Sequence, residues 1–347
     1  MKKHGVGIRE VAEAAGVSVT TVSHVLNSVP GARVSDDTRR RVQAAASQLG
    51  YAPNRMARGL RRQSSGTLGF ISDNIATTPH AGRLILGAQE AAVRHGFTLV
   101  LFNTDRDPVV EERDLQTLLQ FQVDGVVYAT MYHRVVSVPP VLHTVPAVLL
   151  DAVADDDSLP TTVPDEVQGG RAAVEELLVA GHRRIGFVTN VDDIPATRGR
   201  LRAYRECLEA AGLAFDPSLV VSEPSEAAGG YRAARLLLTR PDRPTALFCY
   251  NDRMAMGAYR AAAELGVRIP ADLSVVGFDN QELIAENLYP GLTTVALPHR
   301  DMGAWAVDTL VQLVAGDPPP QEGTLRMPCP LVRRDSVAAP APTLRKV

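Results

Sequence analysis

The chain has 347 residues, 45% hydrophobic and 22% charged, so it is long enough for two or three packed units and is not a disordered chain. Its net charge of −3 is unevenly distributed, because residues 1–62 hold 11 Lys and Arg against 4 Asp and Glu, and the rest holds 25 against 35. A basic first segment predicts contact with nucleic acid, and a solvated basic surface without a partner is the alternative.

The sequence contains neither a membrane span nor the features of a signal peptide. No apolar run reaches the roughly 18 residues of a membrane span, and the basic N-terminus has no apolar segment of a signal peptide behind it. The three cysteines are too scattered for a disulfide framework or a zinc site, and they predict buried free thiols. We therefore expect a cytoplasmic protein without membrane contact.

The first 50 residues predict three helices. Apolar residues at helical spacing over 8–15 predict the first helix, which Gly16 ends. Ser18 is placed to cap a second helix and Ser35 a third. The predicted inward positions are Ile8, Val11, Ala12, Ala15, Val22, Val25, Leu26, Val42, Ala45, Ala46 and Leu49.

A helix, a short turn containing glycine and a second helix form the helix-turn-helix plan, in which the second helix enters the major groove of DNA. The outward face of this second helix predicts base contacts from Val19, Thr20 and His24. The neighbouring polar side chains suit phosphate oxygens, and they are Ser18, Thr21, Ser23 and Asn27.

From residue 67 the pattern changes to alternating strands and helices, which predicts an α/β fold with parallel sheets. The pattern allows one large sheet or two smaller ones. Polar residues at strand ends mark the edge where such sheets bind ligands. The strand-like runs are 67–72, 98–103, 124–130, 146–151, 184–189, 245–250 and 273–278. The helical patterns are 81–95, 110–121, 166–180, 198–211, 227–239 and 252–265.

Several motifs closely resemble the lactose-repressor (LacI/GalR) family of transcriptional regulators. In the first segment they are IREVA at 8–12, AGVS at 15–18 and TVSHVLN at 21–27, followed by the hinge-like LGYAPN at 49–54 and ARGL at 57–60. In the rest of the chain they are NTD at 103–105, VDGV at 123–126, GHRRIG at 181–186, NDRMAMG at 251–257 and SVVGFD at 274–279. The resemblance spans residues 7–336.

The resemblance implies a helix-turn-helix head followed by a body like the periplasmic binding proteins, with two doubly wound α/β subdomains. The expected head and hinge helix are 1–62. The expected N-subdomain is 63–163 plus about 296–323, the C-subdomain is 164–295 plus about 324–336, and 337–347 is a frayed tail. It further implies a repressor that binds a near-palindromic double-stranded DNA operator as a homodimer, with a tetramer as the alternative.

In this family the hinge helix enters the minor groove, so the resemblance assigns that contact to Ala57, Arg58 and Leu60, with Leu60 as the wedge. The alternative for Leu60 is a core or solvent-facing leucine. Gly59 stands where a better helix former is usual, and glycine costs about 1 kcal/mol relative to alanine in a helix.

The resemblance also assigns a small polar effector, such as a sugar or polyol, to the cleft of the body. The residues expected to bind it are Asp73, Asp151, Arg198, Asn251, Asp279 and His299. Loop-end or capping roles are the alternative for each, and Arg198 could instead pair with Asp192 or Asp193. Ser225 replaces an aromatic that is common in the family, which disfavours a plain hexose.

No enzyme motif, metal-ligand spacing or cofactor fingerprint is found in the sequence, so we expect neither an enzyme nor a cofactor. The alternative function is a solute-binding receptor or sugar-processing enzyme of similar fold without regulatory DNA binding. The motifs leave open the effector, the operator sequence and the direction of control.

Overall fold

The computed structural model describes residues 6–26, 32–51, 64–78, 82–156, 158–320 and 323–341. The chain divides into two compact units, 1–65 and 66–347, which we call the head and the body. Four residues predicted to contact DNA lie outside the described residues and stay predictions: Asn27, Ala57, Arg58 and Leu60.

The head contains three described helices, α1 (Ile8–Ala15), α2 (Val19–Leu26) and α3 (Asp36–Gln48). Gly16 ends α1 in the left-handed conformation with φ +64°, which glycine adopts without steric cost. The hydroxyl of Ser18 accepts a hydrogen bond from the backbone N–H of Thr21 at 3.1 Å. Ser35 caps α3 in the same way. The predicted end of α1 at Gly16 and the predicted N-terminal caps of α2 and α3 are therefore confirmed.

The head packs around small aliphatic side chains, which lets its short helices approach closely. Leu49 was predicted to face inward, and this prediction was wrong because the residue is 36% exposed. The helix ends one residue before it, Gly50 turns the chain, and the N–H of Tyr51 bonds to the carbonyl of Ala46 at 2.9 Å. The buried core residues are Val11, Ala12, Ala15, Val22, Val25, Val42, Ala45 and Ala46.

The described residues of the body form two six-stranded sheets, which decides between the one-sheet and two-sheet alternatives. Their orders are β11-β5-β4-β3-β1-β2 and β12-β10-β9-β8-β6-β7, and only the β10–β12 pair is antiparallel. The first sheet contains β1 (Thr67–Ser72), β2 (Thr98–Asn103), β3 (Gly125–Val136), β4 (Ala147–Ala154), β5 (Thr161–Pro164) and β11 (Thr324–Met327). The second contains β6 (Ile185–Asn190), β7 (Val220–Glu223), β8 (Ala246–Cys249), β9 (Ser274–Asp279), β10 (Thr293–Ala296) and β12 (Leu331–Val332).

Helices cover both sheets, and we call each sheet with its helices a lobe. In the first lobe α4 crosses α10 closely, because a Cβ atom at Gly303 would lie 2.0 Å from the carbonyl oxygen of Leu84. The first lobe has α4 (Gly82–Arg94), α5 (Pro108–Gln120) and α10 (His299–Ala315). The second has α6 (Glu166–Val179), α7 (Pro195–Ala210), α8 (Ala227–Leu238) and α9 (Asp252–Glu264). Short 3-10 turns occupy Ile75–Thr77, Pro140–Thr144 and Pro217–Leu219.

The chain passes between the lobes three times: after Pro164, between Ala296 and His299, and between Met327 and Leu331. The third passage differs from the expectation that assigned 324–336 to the second subdomain. Thr324 lies opposite Thr161, so β11 extends the edge of the first sheet before the chain crosses.

The end of the chain departs from the expected frayed tail at residues 337–341, while 342–347 lie outside the described part. The N–H of Ala338 donates to the hydroxyl of Ser274 at 3.0 Å. The carbonyl of Ala338 accepts from the same hydroxyl at 3.1 Å and from Nε2 of His182 at 3.0 Å. These bonds hold the segment against the second lobe, since each satisfies a backbone group.

The three cysteines are buried and free, as the sequence predicted. The cores of both lobes lie between sheet and helices. Within the described residues, no helix is long and apolar enough to span a membrane.

Candidate functional site

The second helix of the head presents a polar outer face. Val22 and Val25 are buried in the head core, whereas Val19 is 41% exposed and Thr20 is also exposed. His24 is half-buried on the same side. The remaining described phosphate candidates are Ser18, which is exposed, and Thr21 and Ser23, which are half-buried.

A second site lies in the body, where the carboxyl ends of the strands of both lobes face a cavity of 420 Å³. We call this cavity the cleft. His133 and Asp151 line it from the first lobe, and Glu166, Arg200 and Asp279 line it from the second. This edge of open parallel sheets is where ligands bind in such folds.

Four of the six predicted effector residues line the cleft, and they are Asp151, Asn251, Asp279 and His299. The amide of Asn251 also has a structural role: its Oδ1 accepts from the N–H of Met254 at 2.9 Å and caps α9. Its Nδ2 donates to the carbonyl of Ser225 at 3.0 Å. Asn251 therefore caps a helix, which was the alternative considered for it, and also lies in the cleft wall as predicted.

Asp73 is not among the residues that line the cleft. Its Oδ1 accepts from the backbone N–H groups of Asn74 at 2.7 Å and Met131 at 2.8 Å. Its Oδ2 lies 3.4 Å from the guanidinium groups of both Arg106 and Arg134. Asp73 thus holds two cleft residues, Met131 and Arg106, in place from behind.

Arg198 also departs from its predicted place. Its side chain is 56% exposed and its Nη1 lies 2.9 Å from a carboxylate oxygen of Asp193, which was the alternative considered for it. Arg200 takes the position in the cleft instead. Residues two apart on an α-helix point about 200° from each other, so only one of these arginines can face inward.

Arg200 is the centre of a buried ionic cluster and was missed by the sequence analysis. It is 3% exposed, and its Nε donates to Oε2 of Glu166 at 2.8 Å. Its Nη1 lies 3.8 Å from Oδ1 of Asp279 and donates to the carbonyl of Tyr250. Its guanidinium carbon also lies 3.6 Å from the ring centroid of Phe278, a cation–π geometry.

Arg200 lies by the carboxylates of Glu166 and Asp279, and Asp151 is a third carboxyl group in the cleft wall. Asp151 is 2% exposed, and its Oδ1 has no hydrogen-bond partner among the described groups. Burial, and then the nearby Glu166, raise the pKa of Asp151 well above its usual range. Burial also raises the pKa of Glu166, against the opposing effect of Arg200. Asp151 is therefore poised to take up a proton or a donor group of a ligand.

His133 is a further polar side chain of the cleft and was not predicted from the sequence. It is 5% exposed, and its Nδ1 has no hydrogen-bond partner among the described groups. Burial, followed by the charges of Arg326 and Arg200, lowers its pKa to about 4. The ring is therefore neutral near pH 7 and can donate or accept one hydrogen bond.

Aromatic rings reach the cleft from positions other than the one occupied by Ser225. Tyr132 and Tyr250 line the cleft, and the guanidinium carbon of Arg106 lies 5.0 Å from the ring centroid of Tyr132. Burial raises the pKa of Tyr250 to about 12, so its hydroxyl stays protonated near pH 7. The cleft thus has apolar ring faces beside its polar groups, as small-molecule sites usually do.

Backbone strain also concentrates around the cleft. Arg106, Asp151, Asp279 and Asn280 have positive φ angles of 61°, 56°, 99° and 51°. Non-glycine residues rarely adopt this conformation, and it persists where the surrounding structure requires it, often at ligand sites. In the part of the chain that the structure describes, no group of His, Cys, Asp and Glu is arranged to hold a metal ion.

Comparison with protein families identifies both parts of the chain. Residues 7–54 match the model for bacterial regulatory proteins of the lacI family. Residues 174–337 match the model for a periplasmic binding protein-like domain.

Relatives match over nearly the whole chain. The ribose operon repressor of Escherichia coli (strain K12) is 34% identical over 95% of this chain and 99% of its own length. The PurR transcriptional repressor of Photobacterium profundum is 32% identical over 88% of this chain and 91% of its own. Both relatives are repressors.

Solved structures agree with the sequence matches. The lac repressor dimer bound to operator and the anti-inducer ONPF is 30% identical, covers 96% of this chain and 99% of its own, and has a TM-score of 0.79. The transcriptional regulator CelR in complex with cellobiose is 31% identical, covers 95% and 99%, and has a TM-score of 0.67.

Proposed function

The chain belongs to the lacI family of bacterial regulatory proteins, and from this premise we propose that it is a repressor whose affinity for operator DNA is set by a small polar effector in the cleft. The observation that carries the proposal is the presence, in one chain, of an exposed polar helix face and a cleft with buried polar atoms that lack partners. Because it acts on chromosomal DNA, we also place it in the cytoplasm.

The face of α2 supports DNA binding by its chemistry. Val19 and Thr20 are short and exposed, so the helix backbone can approach base edges, and His24 can donate to or accept from a purine. Ser18, Thr21 and Ser23 supply hydroxyls for phosphate oxygens, which position a protein without reading sequence. The basic balance of residues 1–62 adds long-range attraction to the phosphate backbone.

The chemistry of the cleft supports a polar effector. Unpartnered Oδ1 of Asp151 and Nδ1 of His133 both lie in its wall, and a buried polar atom without a partner costs about 1–3 kcal/mol. Ligand hydroxyls would satisfy both atoms. Asp279 and the guanidinium of Arg200 supply an acceptor and donors on the opposite lobe.

Because the effector residues come from both lobes, a bound ligand favours the lobe arrangement in which Asp151 and Asp279 reach it together. A ligand shifts an equilibrium only through its different affinities for the two states. We propose that this shift is transmitted to a homodimer whose two heads occupy the half-sites of a near-palindromic operator, since closed twofold assemblies present identical surfaces to such a site.

The test is a titration of the full chain on double-stranded DNA selected from a random library by the protein itself. A repressor of this kind should lose affinity steeply as salt rises from 50 to 200 mM, and a small polar ligand should change the remaining affinity. A solute-binding receptor or sugar enzyme would show neither effect.

A further inference from the structure

A second cavity of 530 Å³ adjoins the cleft in the body. Arg253, Asp279, Leu297 and His299 line both cavities and form their common wall. Leu283 and Ile284 add apolar side chains to the second cavity. A ligand that extends past the common wall would therefore contact apolar side chains of the second cavity as well as the polar groups of the cleft.

The charge of Arg253 in this common wall is not neutralised by any neighbouring described group. Its Nε is buried without a hydrogen-bond partner, and no described carboxylate lies within 4 Å of its guanidinium. The other charged groups of the second cavity already have partners: Arg83 pairs with Glu282 across the two lobes, and Asp279 lies 3.8 Å from Arg200. Arg253 is thus the uncompensated charge at the junction of the two cavities.

Arg253 differs in one physical respect from Asp151, whose Oδ1 also lacks a hydrogen-bond partner among the described groups. A buried carboxyl can avoid its charge by taking up a proton, and burial raises the pKa of Asp151 in that direction. A guanidinium cannot be deprotonated in a protein. Arg253 must therefore be satisfied by solvent or by an acceptor, and an anion is the strongest acceptor for it.

We propose that the effector carries an anionic group, a carboxylate or a phosphate, which Arg253 binds at the junction of the two cavities. The hydroxyls of the same molecule face Asp151 and Asp279 in the cleft. The inference deepens the proposed function and rests on the cleft being the effector site. Cavities of 420 and 530 Å³ together reach the upper end of the usual range of ligand sites, about 300–1,000 Å³, which leaves room for a substituent on a hydroxyl-rich body.

The test uses matched probes on the full chain. Glucose, glucuronate and glucose 6-phosphate form one set, galactose and its two analogues form a second, and inorganic phosphate is the simplest anion. Calorimetry measures each affinity for the wild type, for Arg253→Gln, and for Arg260→Gln, which makes the same change on the same helix at an exposed residue paired with Glu264.

At least one anionic probe should bind the wild type tenfold or more tightly than its neutral counterpart, with an affinity that falls as salt rises. Arg253→Gln should lose that preference, and Arg260→Gln should keep it. Tighter binding of the uronates would identify the anionic group as a carboxylate, and tighter binding of the sugar phosphates would identify it as a phosphate. The inference is overturned if no anionic probe binds, if neutral probes bind as tightly, or if Arg253→Gln retains the preference.

DNA binding measured on the same preparations separates this inference from the proposed function. If the wild type binds its selected DNA and a neutral sugar changes that affinity, the function stands and only the anionic group is refuted. If the wild type shows no salt-dependent DNA binding, the proposed function itself fails.

Discussion

Replacing Arg200 by methionine should destabilise the body far more than replacing Arg198 by glutamine, although the two arginines lie two residues apart on α7. Arg200→Met removes the 2.8 Å pair with Glu166 and leaves that carboxylate, which is 5% exposed, without its cation. Breaking a buried pair from one side costs about 3–5 kcal/mol. Arg198→Gln removes only an exposed pair with Asp193, which is worth about 0–1 kcal/mol.

For a unit of this size, 1 kcal/mol shifts the melting temperature by about 2–4 °C. We therefore expect a fall of roughly 6–20 °C for Arg200→Met and less than about 4 °C for Arg198→Gln. Differential scanning calorimetry of the full chain measures both. Equal losses in the two variants would refute the assignment of the inward position to Arg200.

A double variant tests the cause of the loss. Arg200→Met combined with Glu166→Gln removes the stranded carboxylate, so the double variant should be more stable than the sum of the two single losses implies. Additive losses would mean that the 2.8 Å contact contributes nothing of its own.

Three further predictions concern the head, the hinge and the second lobe. His24→Ala should weaken binding to the selected operator by about 1–3 kcal/mol with a smaller loss on random DNA; equal losses in a gel-shift titration would exclude base reading. Leu60→Ala should reduce DNA bending in a gel-phasing assay and leave effector affinity unchanged, since the wedge acts only on DNA; unchanged bending would contradict the hinge assignment. Burial, with nearby Asp279, raises the pKa of Asp252 to about 8, so the native state holds a proton that the unfolded state releases near pH 4. Its contribution to stability should therefore fall as pH rises from about 4 to about 8, and Asp252→Asn should remove that slope in denaturant unfolding at pH 5 and pH 8; parallel pH profiles would contradict it.

Strands that stand in an apolar run of about six residues could be predicted from the sequence, whereas short strands without such a run could not. All seven predicted strand runs correspond to observed strands. The five missed strands have four residues or fewer, and β5 even ends in a proline. Such strands form because a neighbouring strand supplies hydrogen bonds, which is tertiary information.

The helix α10 lies outside the six helical ranges predicted above, although Trp305 within it stands in a helical pattern. It buries its stripe mainly against α4, through close backbone contact at Gly303. Its buried side chains include Met302, Ala306, Val307 and Leu310 at helical spacing, so the periodicity of the sequence is sufficient to predict this helix.

The candidate site was predictable where a polar residue lies in or at the end of a buried strand, as Asp151 does within β4 and Asp279 at the end of β9. The prediction failed where several arginines lie close together, in the Arg-Gly-Arg-Leu-Arg run of α7. One pattern did distinguish them: Arg200 shares the inward stripe of α7 with Ala196, Ala203 and Tyr204. A charged residue on an apolar stripe indicates a buried partner, here Glu166.

The role of Asp73 depended on its partners and not on its position in the chain. It directly follows β1, but two arginines and two backbone N–H groups surround it. Those partners come from residues 74–134 and meet only in the folded lobe.

The central claim is that the ligand in the cleft controls DNA affinity, and the most direct measurement is operator affinity with and without a bound effector. Fluorescence anisotropy at fixed salt should show a change of about 5- to 150-fold for the wild type. Asp279→Asn, which alters an acceptor on the cleft wall, should bind the operator normally without effector and show no such change. An effector that binds the cleft by calorimetry and leaves operator affinity unaltered in the wild type would contradict the claim.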